Sequence, residues 1–267
     1  MNDPVIELRG ATKRFPSGSG PAHTAVRELT MQVAAGEFVA VVGPTGCGKS
    51  TTLSLVSGLE PASEGEVLVR GERVRSIPRG VGYMFQNDAI LPWRSVLDNV
   101  AAGPRYRGAS KAAARAKAAT WVERVGLAGF AKYYPHQLSG GMRKRVALAQ
   151  TLVNEPEIML MDEPFSALDV QTRALMQDEL LRLWAGTGAA VVFVTHDLEE
   201  AIALADRVVV MTASPATVKG VFAVPLSRPR NVEEVRLTAE FLEIYREVWE
   251  SLRVEVARAR EEASRVG

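Results

Sequence analysis

Gly43-Pro44-Thr45-Gly46-Cys47-Gly48-Lys49-Ser50-Thr51 brings backbone freedom, an ammonium and hydroxyls into one short stretch. Glycines let successive N–H groups point at one centre, which suits a phosphate. The apolar run Phe38-Val39-Ala40-Val41-Val42 before it reads as a buried strand, and residues 53–56 after it have helical spacing. Strand, glycine loop and helix is the context of a Walker A loop, where the helix adds the positive end of its dipole. Lys49 then reaches the β- and γ-phosphates, and Ser50 ligates Mg²⁺. The plainer alternative is a glycine-rich turn; nucleotide binding is the expectation.

Ile158-Met159-Leu160-Met161-Asp162-Glu163 is an apolar segment ending in two carboxylates, the form of a Walker B strand. Asp162 there holds Mg²⁺ through its water shell, because this small cation keeps several waters. Glu163 polarises the attacking water, general-base assistance of about 10²–10⁴-fold. Taken alone, the segment also reads as a strand end with two solvated acids before a Pro164 turn. Leu138-Ser139-Gly140-Gly141-Met142 sets a capping serine and two glycines at a helix start, a second geometry suited to an anion. His196 follows a buried strand, with Asp197 placed to cap the next helix. Gln86 stands at the end of the strand predicted over residues 81–85.

The elements that must position these groups alternate. Residues 5–8 read as a short strand and residues 11–19 as a loop carrying Lys13, Arg14 and Phe15. Leu29, Met31 and Val33 alternate with polar neighbours, which predicts a half-buried antiparallel strand. A hairpin is expected around Gly71-Glu72. From about Asn87 the texture turns helical. Ser110 caps an alanine-rich helix that Gly126 stops, and a further helix runs over residues 141–153. Strands at 158–161, 190–195 and 208–211 alternate with helices at 173–184 and 198–205. That order predicts an α/β fold, a mostly parallel sheet with helices on both faces. Beyond Pro229 comes a charged helix with Phe241, Tyr245, Val248 and Leu252 on one stripe, and residues 257–267 are expected to fray.

At 267 residues the chain is long enough for one large domain, or one domain with an inserted part. Its 32 basic and 31 acidic residues leave a net charge of +1, no electrostatic footprint for a nucleic-acid partner. One cysteine excludes an intrachain disulfide and fits an intracellular setting. Residues 1–5 have the makings of no signal peptide, and no apolar run approaches the roughly 18 residues of a membrane span. Any membrane role is expected to come through a partner.

Walker A, Gln86, Leu-Ser-Gly-Gly, Walker B and His196, in that order, resemble the ATP-binding cassette (ABC) ATPases. The resemblance covers nearly everything from Val5 to about Arg230. It implies a P-loop core with an N-terminal antiparallel β part and an inserted α-helical subdomain. The corresponding boundaries are 1–230 for the ATPase domain, about 87–157 for the insert and 231–267 for a C-terminal helical extension. ATP and Mg²⁺ are the implied cofactors. Residues 43–51 bind the phosphates, Ser50, Gln86 and Asp162 serve the metal, and Phe15 stacks on adenine. Glu163, His196, Gln86 and Lys49 carry hydrolysis. Ser139, Gly140 and Gly141 close on the γ-phosphate of the opposite subunit, and Asp169 crosses the dimer interface. A homodimer peripheral to the cytoplasmic face of the inner or plasma membrane follows. Its partners are permease subunits and, indirectly, an extracytoplasmic solute-binding protein.

Leu91-Pro92-Trp93-Arg94-Ser95-Val96-Leu97-Asp98-Asn99-Val100, Tyr134-Pro135-His136-Gln137 and Leu226-Ser227-Arg228-Pro229-Arg230 are similar to segments of nitrate, sulfonate and taurine importers. Lys144 departs from that pattern, standing where glutamine is usual. Phe15 replaces the commoner tyrosine, Thr45 a usual serine, and Ser214-Pro215-Ala216 an Arg-Pro-Gly turn. Cys47 fills a variable slot, where a thiol is expected to confer sensitivity to alkylation. An ABC ATPase outside transport, or a regulatory ABC subunit of a membrane complex, is the alternative. A simple kinase or GTPase needs neither Leu-Ser-Gly-Gly nor the strand-end histidine.

Overall fold

The computed structural model describes residues 4–16, 18 and 22–266. Two sheets organise it. Strands β1 (Pro4–Phe15), β2 (His23–Ala34), β4 (Glu64–Val69) and β5 (Glu72–Arg73) form an antiparallel sheet in the order β2-β1-β4-β5. The second sheet contains β3 (Phe38–Val42), β6 (Val81–Met84), β7 (Ile158–Asp162), β8 (Ala190–Val194), β9 (Arg207–Met211) and β10 (Val218–Ala223). Its order is β10-β9-β3-β8-β7-β6, parallel throughout except for the β9/β10 edge.

The central strands are buried on both faces, so they read as continuous apolar runs. Alternate residues serve different cores. Val39 and Val41 pack with Leu53 and Val56 of helix α1 (Lys49–Ser57) and with the antiparallel sheet. Phe38, Ala40 and Val42 face the other core with α6 (Val170–Trp184), α7 (Leu198–Leu204), α8 (Val232–Val235) and α9 (Ala239–Val266).

Strands β6 and β7 are parallel neighbours, yet residues 85–157 leave the sheet between them. That excursion holds α2 (Val96–Val100), α3 (Ala102–Tyr106), α4 (Lys111–Arg124) and α5 (Gly140–Leu152). Each of α2, α4 and α5 starts at a serine, Ser95, Ser110 and Ser139, whose hydroxyl accepts a first-turn N–H. Asn99 is fully buried and bonds Leu91 N, Leu91 O, Arg94 O and Ser95 O, which folds the 91–95 segment onto α2. In the segment 226–230, Arg230 is buried and donates to the carbonyls of Ala203, Ala205 and Leu226. It caps the C-terminal end of α7, where a cation is favoured.

Three expectations change. Residues 11–15 are strand rather than loop, because β1 continues past Gly10 (φ 58) through irregular pairings with β2 and β4. Ser19, the last residue of that expected loop, lies outside the described residues. The tail from 257 continues α9 to Val266, while Gly267 is not described. Along the helix, Phe241, Ile244, Val248 and Leu252 enter the main core, and Glu255 accepts from Ala213 N. Finally β10, broken by Gly220, escaped the sequence pattern.

Candidate active site

Strand β3 delivers the glycine loop and α1 leaves it, with Lys49 as the first helical residue. Gly48 takes φ 126, and a Cβ there would sit 2.6 Å from the carbonyl oxygen of Ala25. Only glycine fits. Lys49 is buried and donates to the carbonyls of Gly43 and Pro44 at 2.9 and 3.0 Å, so its ammonium closes the loop on itself. Thr45 and Gly46 form the exposed tip, and Thr51 is half-buried. Cys47 is buried, and burial holds its thiol above the usual range. Thiolate is the alkylating nucleophile. Burial and the raised thiol both work against the alkylation that the sequence suggests.

Asp162 ends β7 and accepts from Ser50 Oγ at 2.9 Å, joining the two Walker segments. Burial pushes its carboxyl above the ordinary range, a cost that a nearby cation would offset. Tyr83 was not anticipated. Parallel β6/β7 pairing sets Tyr83 beside Leu160, and its hydroxyl lies 3.5 Å from Asp162 Oδ2. Burial and that carboxylate keep the phenol protonated. The signal was present, an alternate-face tyrosine three residues before Gln86, but only strand pairing gives it meaning.

Glu163, the next residue, has φ 42, a left-handed conformation rare for a side chain with Cβ. Its N–H donates to Val194 O at 2.9 Å, and its carbonyl accepts from Ser166 Oγ at 3.0 Å. The turn aims Glu163 Oε2 at His196 Nδ1, 2.9 Å away. Beneath His196 lies a second unanticipated network. Buried Thr195 donates to Glu200, which also accepts from Gln177 at 2.8 Å. Asp197 caps α7 through Glu200 N, and Arg173 reaches Asp197 at 3.4 Å. Burial raises the Glu200 carboxyl.

The remaining residues lie in other clusters. Ser139 accepts from Met142 N at 3.3 Å, and a Cβ on Gly141 would fall 2.7 Å from Thr172 Cγ2. Asp169 caps α6 through Thr172 N at 3.0 Å, which holds its carboxyl low. The signature thus packs against the first turn of α6 that Asp169 caps, and no described hydrogen bond joins either to Lys49, Asp162 or Glu163. Gln86 is exposed beyond the end of β6, with its carbonyl bonded to Lys144. Phe15 is half-buried at the end of β1, with Lys13 Nζ 4.9 Å above its ring.

Among the described residues no group of three or more His, Cys, Asp or Glu could hold a metal ion. Ser50 and Asp162 instead offer two hard oxygens in contact. That set fits Mg²⁺, which takes one or two protein oxygens and completes its shell with water and phosphate.

A phosphate loop linked to a buried carboxylate, with a neighbouring acid held against a histidine, is the equipment of a nucleotide hydrolase. Comparison with known proteins narrows this. Residues 26–166 match the family described as ABC transporter. The chain is 42% identical over 254 residues to the uncharacterized ABC transporter ATP-binding protein MJ0412 of Methanocaldococcus jannaschii, covering 95% of this chain and 93% of that one. It is 40% identical over 227 residues to the aliphatic sulfonates import ATP-binding protein SsuB of Bacillus thuringiensis subsp. konkukian, covering 85% and 89%. The ATP-binding cassette MJ0796, solved as a dimer in a post-hydrolysis state bound to ADP and Pi, superimposes with a TM-score of 0.72. Identity there is 31%, over 83% of this chain and 100% of that one. The class is therefore the ABC ATPases. Within it, the chain belongs to the ABC transporter family as an importer-type ATP-binding protein, an enzyme that binds and hydrolyses ATP.

Proposed function

We propose that this ATPase powers uptake of a small oxyanionic solute, aliphatic sulfonates first and nitrate or taurine next. The observation that carries the catalytic half is the 2.9 Å contact of Glu163 with His196, one residue from the Ser50–Asp162 bond. Residues 43–51 cradle the phosphates of ATP, and Lys49 exchanges its two loop carbonyls for phosphate oxygens. Glu163 takes the proton of the attacking water, while His196 orients Glu163 and meets the γ-phosphate. Ser50 and Asp162 would hold Mg²⁺, with Gln86 brought to it when ATP binds, and the ion would supply neutralisation of the phosphate charge. Phe15 stacks on the adenine.

Among the described residues no hydrogen bond joins Ser139, Gly140 or Gly141 to Lys49, Asp162 or Glu163, which supports a second copy completing the site. In that reading two copies sandwich two nucleotides, each signature closing on the other's γ-phosphate, with Asp169 at the seam. The dimeric neighbour MJ0796 supports it. Residues 1–230 act as the ATPase domain, about 87–157 as the helical subdomain that meets the membrane partner, and 231–267 as an extension.

A cavity of about 340 Å³ between β6 and helices α3 and α5, lined by Tyr83, Phe85, Leu91, Tyr106, Arg107 and Gln150, suits a permease segment. Exposed Trp93 stands in the neighbouring importer-like segment. No described helix is long and apolar enough to cross a membrane. In this reading the pore belongs to a permease partner, and the chain sits on its cytoplasmic face. The SsuB relatives, aliphatic sulfonates import ATP-binding proteins, support sulfonate as the solute. In this reading an external solute-binding protein delivers it. The test is growth of a deletion strain on an alkanesulfonate as sole sulfur source. Wild-type chain should restore growth and Glu163→Gln should not. Growth of the deletion strain itself would end the sulfonate reading.

A further inference from the structure

Loop 85–95 carries Gln86 away from β6; Asn99 holds its second half against α2, while its first half is sparsely bonded. Among the described residues, the stretch 86–90 makes one hydrogen bond, from Lys144 Nζ to the Gln86 carbonyl at 2.9 Å. Lys144 is also among the most buried charges in the chain, its side chain 4% exposed. Its ammonium lies 2.8 Å from Asp88 Oδ1, and Arg143 Nε lies 3.4 Å from Asp88 Oδ2. Asp88 Oδ1 accepts no aligned hydrogen bond, so the Asp88 contact is one of charge while the directed bond goes to Gln86. Arg143 in turn donates to Leu138 O at 2.8 Å, on the other side of the signature turn.

These contacts join two parts that the proposed mechanism treats separately. Lys144 sits five residues after Ser139, about 7.5 Å along a rigid helix from the cap that opens the signature. At its other end it holds the main chain of Gln86. A buried ion pair is a poor way to gain stability, since desolvation offsets the attraction. Neither does a glutamine amide, usual at this position, reproduce it: an amide can donate to the carbonyl but carries no charge for Asp88.

We propose that Lys144, paired with Asp88, is a positioning residue that ties the Gln86 loop to α5. Displacement of Gln86 by nucleotide in one site then shifts the signature presented to the other. This rests on the two-copy reading above.

The experiment compares wild type with Lys144→Met, Asp88→Asn, the double variant and Lys144→Arg. Nucleotide Kd, kcat, KM and Tm are measured for each. The double variant removes both charges together, so it keeps the fold where Lys144→Met alone strands Asp88. Expected is a roughly tenfold fall in kcat with Kd and KM within about twofold of wild type. The double variant should be no worse than the single ones, and Lys144→Arg should recover at least half the rate. A double variant that hydrolyses ATP at the wild-type rate overturns the proposal. So does a loss of rate matched by an equal loss of nucleotide affinity, or one that Lys144→Arg leaves uncorrected. Absence of hydrolysis by the wild-type chain would instead strike at the ATPase reading.

Discussion

Glu163→Gln isolates proton transfer from everything else the site does. The amide has the shape of the acid and can still hydrogen-bond His196 across the 2.9 Å gap. Its main chain stays pinned by Val194 O and Ser166 Oγ, so the turn and its aim persist. What the amide lacks is a basic oxygen. General-base assistance contributes about 10²–10⁴-fold, equivalent to roughly 3–5 kcal/mol of barrier. Phosphate release at saturating ATP should fall by that factor, while nucleotide Kd stays within about threefold of wild type. Light scattering with ATP should show a dimer that persists, because the step that separates the copies no longer occurs. Hydrolysis within about threefold of wild type would refute the assignment of the base. Failure to bind ATP would refute the claim that the substitution spares the site.

Lys49→Ala removes a charged donor worth about 1.5–3 kcal/mol; calorimetry should show nucleotide binding weakened on the order of 10–100-fold. Gly48→Ala forces a Cβ to within 2.6 Å of the Ala25 carbonyl, so the loop or β2 must shift. A loss of about 1–3 kcal/mol is expected in thermal unfolding, and an unchanged Tm would contradict the geometry. Asp162 has a carboxyl raised by burial, so it loses its charge at a higher pH than an exposed aspartate. Mg²⁺-dependent tightening of nucleotide binding should therefore fade as pH drops through that raised value and be absent at every pH in Asp162→Asn.

The phosphate loop was legible because its chemistry is local: strand, glycines, lysine and helix are contiguous. The carboxylates at the end of β7 and the caps Ser110, Ser139 and Asp197 were readable for the same reason. Tyr83 was not, since its role depends on β6 lying beside β7 across a helical insert of some 70 residues. The Thr195–Glu200–Gln177 network likewise needs α6 and α7 packed together, which no spacing encodes. Lys144 stood out as a departure, but its partner Asp88 sits 56 positions away and gave no sign. Strand β1 was cut short because Ala11, Thr12 and Lys13 are all buried, a run that bulges produce and alternation does not describe.

The left-handed turn at Glu163 sets durability against turnover. A side chain with Cβ in that conformation costs of the order of 1 kcal/mol or more, against a total stability of only about 5–15 kcal/mol for a typical fold. Glycine would adopt the same turn without penalty and gain a firmer protein, yet it would remove the proton acceptor. Variants selected for heat resistance alone should therefore drift toward losing the base. A population kept under demand for ATP turnover has to find its added stability elsewhere, in caps, loops and the packing of α9.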